Sequence, residues 1–117
     1  FYFIFNYYKQ SLPSEEVAMN PEPKDCINSY WMPTVVLKQP LSRDILLQKL
    51  KCVGIDARVF FWPLSSTSIP GKKAFDHKYL SESIHLRAIN LPSYYDMIEE
   101  DIDTVCNIVR DSLSSFL

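Results

Sequence analysis

Apolar residues recur at helical spacing at both ends of this 117-residue chain. The first helical face carries Phe1, Phe5, Tyr8 and Leu12. The last and longer one carries Ile98, Ile102, Val105, Val109, Leu113 and Phe116, with Cys106 beside it. Pro13 would end the first helix. In the last helix, Asp96 and Glu99 form a capping-box-like pair, and the acidic residues after them suit the positive end of the helix dipole.

Between these two helices, the pattern predicts a strand and a helix in close succession. The residues from Tyr30 to Leu37 are rich in strand formers, and Pro33 among them indicates an edge position or a bulge. A helix from Arg43 to Val53 follows, with Ser42 as its cap and Gly54 at its end. Its buried face is expected to carry Leu46, Leu47, Leu50 and Val53. Its solvent face is expected to carry Arg43, Lys49 and Lys51.

The stretch from Gly54 to Leu64 contains the strongest strand signal in the chain. Arg58 to Trp62 is β-branched and aromatic, and Pro63 follows it without an amide donor. Because polar residues do not alternate with apolar ones there, we expect a central strand that is covered on both faces. With the preceding strand and helix it would form a β-α-β-like unit.

The remaining segments are less regular. Ser14 to Ser29 contains two prolines and is predicted to be a loop or linker without regular structure. A polar loop follows Leu64, a weaker helix is expected within Lys73 to Leu86, and Ile89 to Pro92 is interpreted as a short extended piece. The predicted fold class is therefore α/β of the mixed α+β kind. It would be a small sheet of about three strands with helices packed mainly on one face.

Length, charge and cysteine usage bound the class of protein. The length fits one domain, and a net charge of -2 with dispersed basic residues argues against a nucleic-acid or anionic-membrane surface. Cys26, Cys52 and Cys106 are odd in number and form no CxxC pair, which indicates a reducing, cytoplasmic setting. The apolar start is too short to span a bilayer and lacks a basic flank. Because the chain begins without Met and in mid-pattern, we expect it to be a piece of a longer polypeptide.

The residues present no complete catalytic constellation. Ser65 and Ser66 are not in a G-x-S-x-G turn, and the two glycines of the chain form no phosphate-binding loop. His77 and His85 have no cysteine or carboxylate at ligand spacing, so they are interpreted as surface histidines and no metal is expected. Cys106 is most simply a core residue, not a nucleophile.

Several stretches resemble a known family. Tyr30-Trp31-Met32-Pro33 and the segment from Gly54 to Ser65, GIDARVFFWPLS, carry the resemblance. They are similar to the C-terminal small domain of the DegT/DnrJ/EryC1/StrS family of pyridoxal-phosphate-dependent sugar aminotransferases, and most of all to its perosamine-synthase-like branch. Leu91-Pro92-Ser93-Tyr94 and the segment from Glu99 to Val105 resemble the family's short "LPS" strand and its last helix.

The resemblance implies a division of labour in an intact enzyme. A large domain of the same polypeptide would carry the Schiff-base lysine and bind pyridoxal phosphate, while the small domain closes over the cofactor and helps to line the nucleotide-sugar cleft. The reaction implied is transfer of an amino group from glutamate to a keto-sugar linked to a nucleoside diphosphate, by a homodimer. No lysine of this chain lies in the family's lysine motif, so neither cofactor binding nor activity is expected of the chain alone. Residues 1–29 would be a connecting helix and linker, and residues 30–117 the small domain.

The resemblance also implies which residues contribute to the cleft. Arg58 would approach a carboxylate or phosphate of the substrate, or alternatively form a structural ion pair with a nearby carboxylate. Ser65 would hydrogen-bond a sugar hydroxyl, or alternatively lie in a solvated loop. Aromatic residues would shape the sugar pocket, with core packing as the alternative. These are Tyr30, Trp31, Phe61 and Trp62.

A second hypothesis is a stand-alone, non-catalytic binding or interaction module with the same fold. The two hypotheses differ in the surface that they require. A domain of an aminotransferase would expose an apolar patch where the large domain packs, whereas a natural module would be polar there. They also differ in binding, because a dedicated module should bind a nucleotide sugar measurably by itself.

Overall fold

The structure, a computed structural model, describes residues 1–64 and 80–115. In chain order, the elements are α1 (Tyr2–Ser11), β1 (Ala18–Met19), β2 (Thr34–Val36), α2 (Pro40–Cys52), β3 (Arg58–Val59), α3 (Leu80–Arg87), β4 (Ala88–Asn90) and α4 (Glu99–Ser114). The mixed helix and sheet composition confirms the predicted fold class. Of the helices in these two ranges, none is long and apolar enough to cross a membrane.

Within the described part of the chain, the sheet has four strands in the order β1-β2-β4-β3, one more than the sequence predicts, and all neighbours are antiparallel. Asn90 on β4 is paired with Thr34 on one side and with Arg58 on the other. The strands β2 and β3 are therefore parallel to each other, and β4 lies between them. The predicted β-α-β unit exists in this split form.

The expectation of a central strand from Arg58 to Trp62 is wrong. Only Arg58 and Val59 are paired, and β3 lies at the edge of the sheet. The strand that is buried throughout is β4, which the sequence suggested only as a short extended piece. The apolar run from Arg58 to Trp62 lacks polar alternation, which predicts burial on both faces. Phe61 and Trp62 are instead exposed.

The predicted strand from Tyr30 to Leu37 is shorter than expected and is not at an edge. Tyr30 has a φ of 56°, a left-handed conformation that extended strands do not contain. Pairing begins after Pro33, whose carbonyl accepts a hydrogen bond from the amide of Leu91 over 2.8 Å. The neighbour of β2 on the outer side is β1, which lies inside the segment predicted to have no regular structure.

The helix α2 begins three residues earlier than the predicted start at Arg43, because Pro40 is its first residue. Pro40 occupies the first turn, where its missing amide costs nothing, and Ser42 lies inside the helix without capping it. At the other end, Gly54 has a φ of 80° and donates to Lys51 O, while Ile55 donates to Leu50 O. This is a Schellman motif, which confirms Gly54 as the end of the helix.

The predicted buried and solvent-exposed faces of α2 are correct in the middle of the helix but not at its two ends. Leu46 and Leu50 are fully buried and Leu47 is partly buried. Val53, expected inside, is exposed because it lies at the C-cap beyond the last helical turn. Arg43, expected in water, is buried against α3.

The two terminal helices are confirmed and contribute a large share of the core, although Ile98, predicted on the apolar face of the last helix, is exposed at its N-cap. On α1 the predicted face is buried except for Phe1, which is exposed at the N-cap. On α4, Asp101 and not the predicted Asp96–Glu99 pair caps the helix, because its Oδ2 accepts from the Ile98 amide over 3.1 Å. The core contains the strand residues Val35 and Ile89 and, directly after their strands, Leu37 and Leu91. The helix residues that pack with them include Ile4, Tyr8, Leu46, Leu50, Ile102, Val105 and Val109. The part of the weaker helix expected before Leu80, and Phe116, lie outside the described residues.

Candidate functional site

A cavity of about 610 Å³ opens where β4 ends, beside the start of β3 and the first turns of α4. We call it the β4 cavity and define it by Trp31, Arg58, Asn90, Tyr94 and Asp101, which are among its lining residues. Because β4 is antiparallel to both neighbours, its last residue lies beside the first residues of β2 and β3. The cavity opens at this end of the sheet.

The floor of the β4 cavity is fixed by a polar network that is buried at Thr34 and Asn90 and partly buried at Asn20. The Thr34 hydroxyl donates to Oδ1 of Asn90 over 2.8 Å. The Thr34 amide donates to Oδ1 of Asn20 over 2.8 Å, and the Asn20 side chain donates to Met32 O over 3.1 Å. Because buried polar groups are costly to leave unpaired, this network orients Asn90 and ties the loop before β2 to the sheet.

The loop before β2 presents Trp31 at the mouth of the cavity. Glu22 accepts hydrogen bonds from the Asn28 amide and from the Tyr30 hydroxyl, each over 2.8 Å. The Tyr30 ring in turn packs edge-on against Tyr2 and tilted against Phe5, so it is anchored on α1. Trp31 follows this anchored residue and remains 56% exposed, which leaves its ring available to a ligand.

Arg58 lies at the rim of the β4 cavity and pairs with Asp56. Its Nη2 is 3.1 Å from Asp56 Oδ2, and its side chain is 78% exposed. The bond to Asp56 raises the pKa of Arg58, so the guanidinium stays charged. Exposed ion pairs are weak, so this one can be exchanged for a stronger contact with an anionic group. Both roles predicted for Arg58 thus remain compatible with its position.

Phe61 and Trp62 lie away from the β4 cavity, beyond the other end of β3. The Phe60 amide donates to Ala88 O, which extends the ladder by one bond towards α3. Both aromatic residues are exposed, so the alternative of core packing does not apply to them. Ser65 lies outside the described residues. The structure therefore brings together Trp31 and Arg58, with Tyr30 supporting the former, and places Phe61 and Trp62 in a second group.

The second group contains a residue that the sequence did not suggest. His85, interpreted as a surface histidine, is 4% exposed, and its ring packs 4.2 Å from the ring of Trp62. Its Nδ1 lies 2.8 Å from Phe60 O. No local signal marks His85, because its partners are 23 or more positions away in the sequence. His77 lies outside the described residues.

Whether this chain can bind a cofactor or a metal ion depends on the side chains that it offers. Among the described residues that line the β4 cavity there is no lysine, so these residues offer no amine with which pyridoxal phosphate could form its Schiff base. In residues 1–64 and 80–115, no three His, Cys, Asp or Glu side chains are grouped as a metal site requires. Cys106 is buried, and burial raises the pKa of its thiol to about 11. It is a core residue, as predicted.

Comparison with known proteins identifies the family. The sequence pattern of the DegT/DnrJ/EryC1/StrS aminotransferase family matches residues 2–110. The chain belongs to this family. It is 28% identical over 114 residues to the GDP-perosamine synthase of Vibrio cholerae, covering 92% of the chain and 30% of that protein. It is 27% identical over 111 residues to the GDP-perosamine synthase of Escherichia coli O157:H7, covering 95% of the chain and 30% of that protein.

Solved structures of aminotransferases share the fold of this family member. The aminotransferase TlmJ from Streptoalloteichus hindustanus superposes with a TM-score of 0.78 at 22% identity, covering 99% of the chain and 31% of that structure. The putative sugar aminotransferase Spr1654 from Streptococcus pneumoniae, in its PMP form, superposes with a TM-score of 0.79 at 15% identity, covering 99% and 30%. The chain thus spans less than a third of the length of the relatives that it matches.

Proposed function

We propose that this chain is the C-terminal small domain of a pyridoxal-phosphate-dependent nucleotide-sugar aminotransferase. The observation that carries the proposal is the match of the family pattern to residues 2–110, together with about 30% coverage of GDP-perosamine synthases. We place the small domain at residues 30–117 and the connecting helix and linker at residues 1–29, with β1 of the linker joining the sheet of the domain.

The β4 cavity supports a role in holding the nucleotide sugar. Trp31 offers an exposed aromatic face on which a sugar or a base can stack. Arg58 offers a charged fork at the rim that suits a phosphate or carboxylate. Asn90 adds a polar side chain on a floor that is already ordered. Because these groups are held by the sheet and its buried network, they contribute orientation to the reaction.

The cofactor and the amino donor belong to the intact enzyme. Pyridoxal phosphate, when bound, supplies the electron sink through which an amino group moves from glutamate to a keto-sugar. The described residues of this chain offer no amine in the β4 cavity to hold it. We therefore assign the Schiff-base lysine to a large domain of the same polypeptide, and we propose a cytoplasmic homodimer as the working enzyme.

The surface of the chain favours this proposal over a stand-alone module. Phe1, at the N-cap of α1, and Tyr2 and Phe3 in its first turn are more than half exposed, and Tyr95 is 100% exposed before α4. Soluble modules rarely leave so many large aromatic side chains in water, whereas a surface that packs on another domain requires them. A polar replacement, which the module hypothesis expects, is not seen at these four positions.

The test is binding and turnover of a GDP-linked sugar. We expect GDP-perosamine to bind the 117-residue chain no more tightly than about 1 mM, because a single wall of a cleft supplies little of the free energy of binding. The intact enzyme should convert glutamate to 2-oxoglutarate only when a GDP-linked keto-sugar is present. Micromolar binding by the chain alone would instead establish the module. If the coding sequence upstream of Phe1 encodes no Schiff-base lysine, the proposal of an aminotransferase is wrong.

A further inference from the structure

The ring of His85 donates a hydrogen bond to the backbone that follows β3. Its Nδ1 lies 2.8 Å from Phe60 O and 3.0 Å from Phe61 O. Both partners are carbonyl oxygens, which only accept, so Nδ1 must carry the proton. His85 therefore links α3 to two consecutive peptide groups that follow β3. The last hydrogen bond between β3 and β4 runs from Phe60 N to Ala88 O, so these peptide groups lie at or beyond the end of the sheet.

The same ring supports one face of Trp62. The two ring centroids are 4.2 Å apart, with an angle of 37° between the planes. Trp62 is nevertheless 67% exposed, so His85 covers one side and leaves the rest of the indole open. An exposed tryptophan with one face on a fixed ring has lost rotamer freedom before any ligand arrives.

Arg43 holds His85 itself in place. The carbonyl of His85 belongs to the last turn of α3, where helical carbonyls lack partners within the helix. Arg43 Nη1 donates to this carbonyl over 2.8 Å, and Arg43 Nε donates to Asp44 over 2.7 Å. Arg43 is 9% exposed and lies on α2, whose Leu46 and Leu50 are in the core. The backbone of α3 at His85 is thus held against α2, which is itself anchored in the core by Leu46 and Leu50.

We propose that His85 is a positioning residue that fixes Trp62 in one orientation, and that Trp62 so held forms a second contact surface for the nucleotide sugar, separate from the β4 cavity. The second half rests on the proposed function, and the first half does not. Ordering one large side chain in advance avoids a cost that would otherwise weaken binding up to about tenfold. Loss of His85 should therefore weaken binding by up to about tenfold without affecting the chemical step.

The first half is tested by spectroscopy on the 117-residue chain. The sequence contains two tryptophans, so Trp31→Phe leaves Trp62 as the sole reporter. In that background, His85→Phe keeps an aromatic ring but removes the donor, and His85→Asn keeps a δ-nitrogen donor but removes the ring. We expect both variants to enlarge the fast component of the fluorescence anisotropy decay of Trp62. Ser81→Ala, at an exposed position of the same helix, should leave the decay unchanged.

A measurement on the unsubstituted chain keeps the proposal testable if a variant fails to fold. Nitrogen-15 NMR of the His85 ring should show the tautomer protonated on Nδ1, which is the minor form of free neutral histidine. A ring protonated only on Nε2 would overturn the positioning role. An anisotropy decay that is identical in the parent, His85→Phe and His85→Asn would overturn it as well.

The second half is tested in the intact enzyme. We expect His85→Asn to raise KM for the GDP-linked keto-sugar by up to about tenfold and to leave kcat and the KM for glutamate within about twofold. If Trp62 is mobilised but KM is unchanged, Trp62 does not face the sugar and the second half is wrong. If the unsubstituted enzyme has no aminotransferase activity, the proposed function is wrong and the second half of this proposal is wrong with it. The spectroscopic result for Trp62 does not depend on that outcome.

Discussion

The hydroxyl of Tyr7 on α1 donates a hydrogen bond to Oδ1 of Asp103 on α4 over 2.7 Å. This bond joins two residues that are 96 positions apart, and it lies at the edge of the packing between the first and last helices. The bond to the carboxylate raises the pKa of Tyr7 to about 12, because ionisation of the phenol would place two negative charges side by side.

Tyr7→Phe is expected to lower the urea midpoint of unfolding at pH 8 by removing this hydrogen bond. The effect should depend on pH. A phenol whose folded pKa lies above its unfolded value of 10.0 adds stability below pH 10, and this stability is lost as the pH rises towards 12. The difference in midpoint between the two proteins should therefore shrink from pH 10 upwards. Tyr95→Phe is the control, since Tyr95 is fully exposed, and a constant difference at all pH values would contradict the assignment.

Two substitutions of Tyr8 can separate the contribution of its buried hydroxyl to the free energy of unfolding from that of its buried ring. The side chain is 0% exposed, and its hydroxyl donates to Pro92 O over 2.8 Å. We expect Tyr8→Phe to lower the free energy of unfolding by about 1 kcal/mol, because Pro92 O loses its partner. Tyr8→Ala should lower it by about 3–5 kcal/mol, because a cavity remains between α1 and the sheet. Urea unfolding measures both, and equal losses in the two variants would show that the ring does not pack as described.

Glu22 should make the loop that carries Trp31 sensitive to acid. The bonds from the Asn28 amide and the Tyr30 hydroxyl lower the pKa of Glu22 below its ordinary value of 4.5. A carboxylate with a depressed pKa stabilises the folded loop above that value, and the stabilisation is lost as the pH falls through the folded pKa. With Trp62→Phe as background, the emission of Trp31 should change in this acid range. Glu22→Gln should show the changed emission already at pH 7, and Glu15→Gln should not.

The three cysteines should fall into two classes of reactivity. Cys26 and Cys52 are exposed, whereas Cys106 is buried and its pKa is raised to about 11. A thiol reagent should therefore modify two thiols rapidly in the native chain and the third only after urea is added. Cys106→Ala should leave the rapid phase unchanged and abolish the slow one. Rapid modification of all three thiols in the native chain would contradict the packing of α4.

The helices were predictable from sequence to a greater extent than the sheet. The faces of α1 and α4 follow from spacing, because several buried residues repeat at 3.6-residue intervals along each helix. The strands contain only two or three residues, so alternation has no room to appear. The aromatic run after Arg58 resembled a buried strand although Phe61 and Trp62 are exposed to water. Only the hydrogen-bond pairing shows that the centre of the sheet is β4.

The candidate site was predictable in its residue types but not in its arrangement. The motifs around Trp31 and Arg58 are local and are visible in the sequence. That Trp31 and Arg58 share a cavity while Trp62 lies elsewhere follows from the antiparallel pairing of Asn90 with Thr34 and Arg58. The buried contact between Arg43 and His85 spans 42 positions, and charge alone suggested that Arg43 points to solvent.

The position of β4 between β2 and β3 has a consequence for biosynthesis. In a chain that has emerged only as far as β3, the strands β2 and β3 share no hydrogen bond, because β4, which pairs with both of them, has not yet been made. Up to that point, only β1 and β2 can pair. The ribosome must add β4 before the sheet can assemble, and α4 must follow before the packing between α1 and α4 can form. We therefore expect this domain to acquire its tertiary structure in one late step and to depend on protection from aggregation until then.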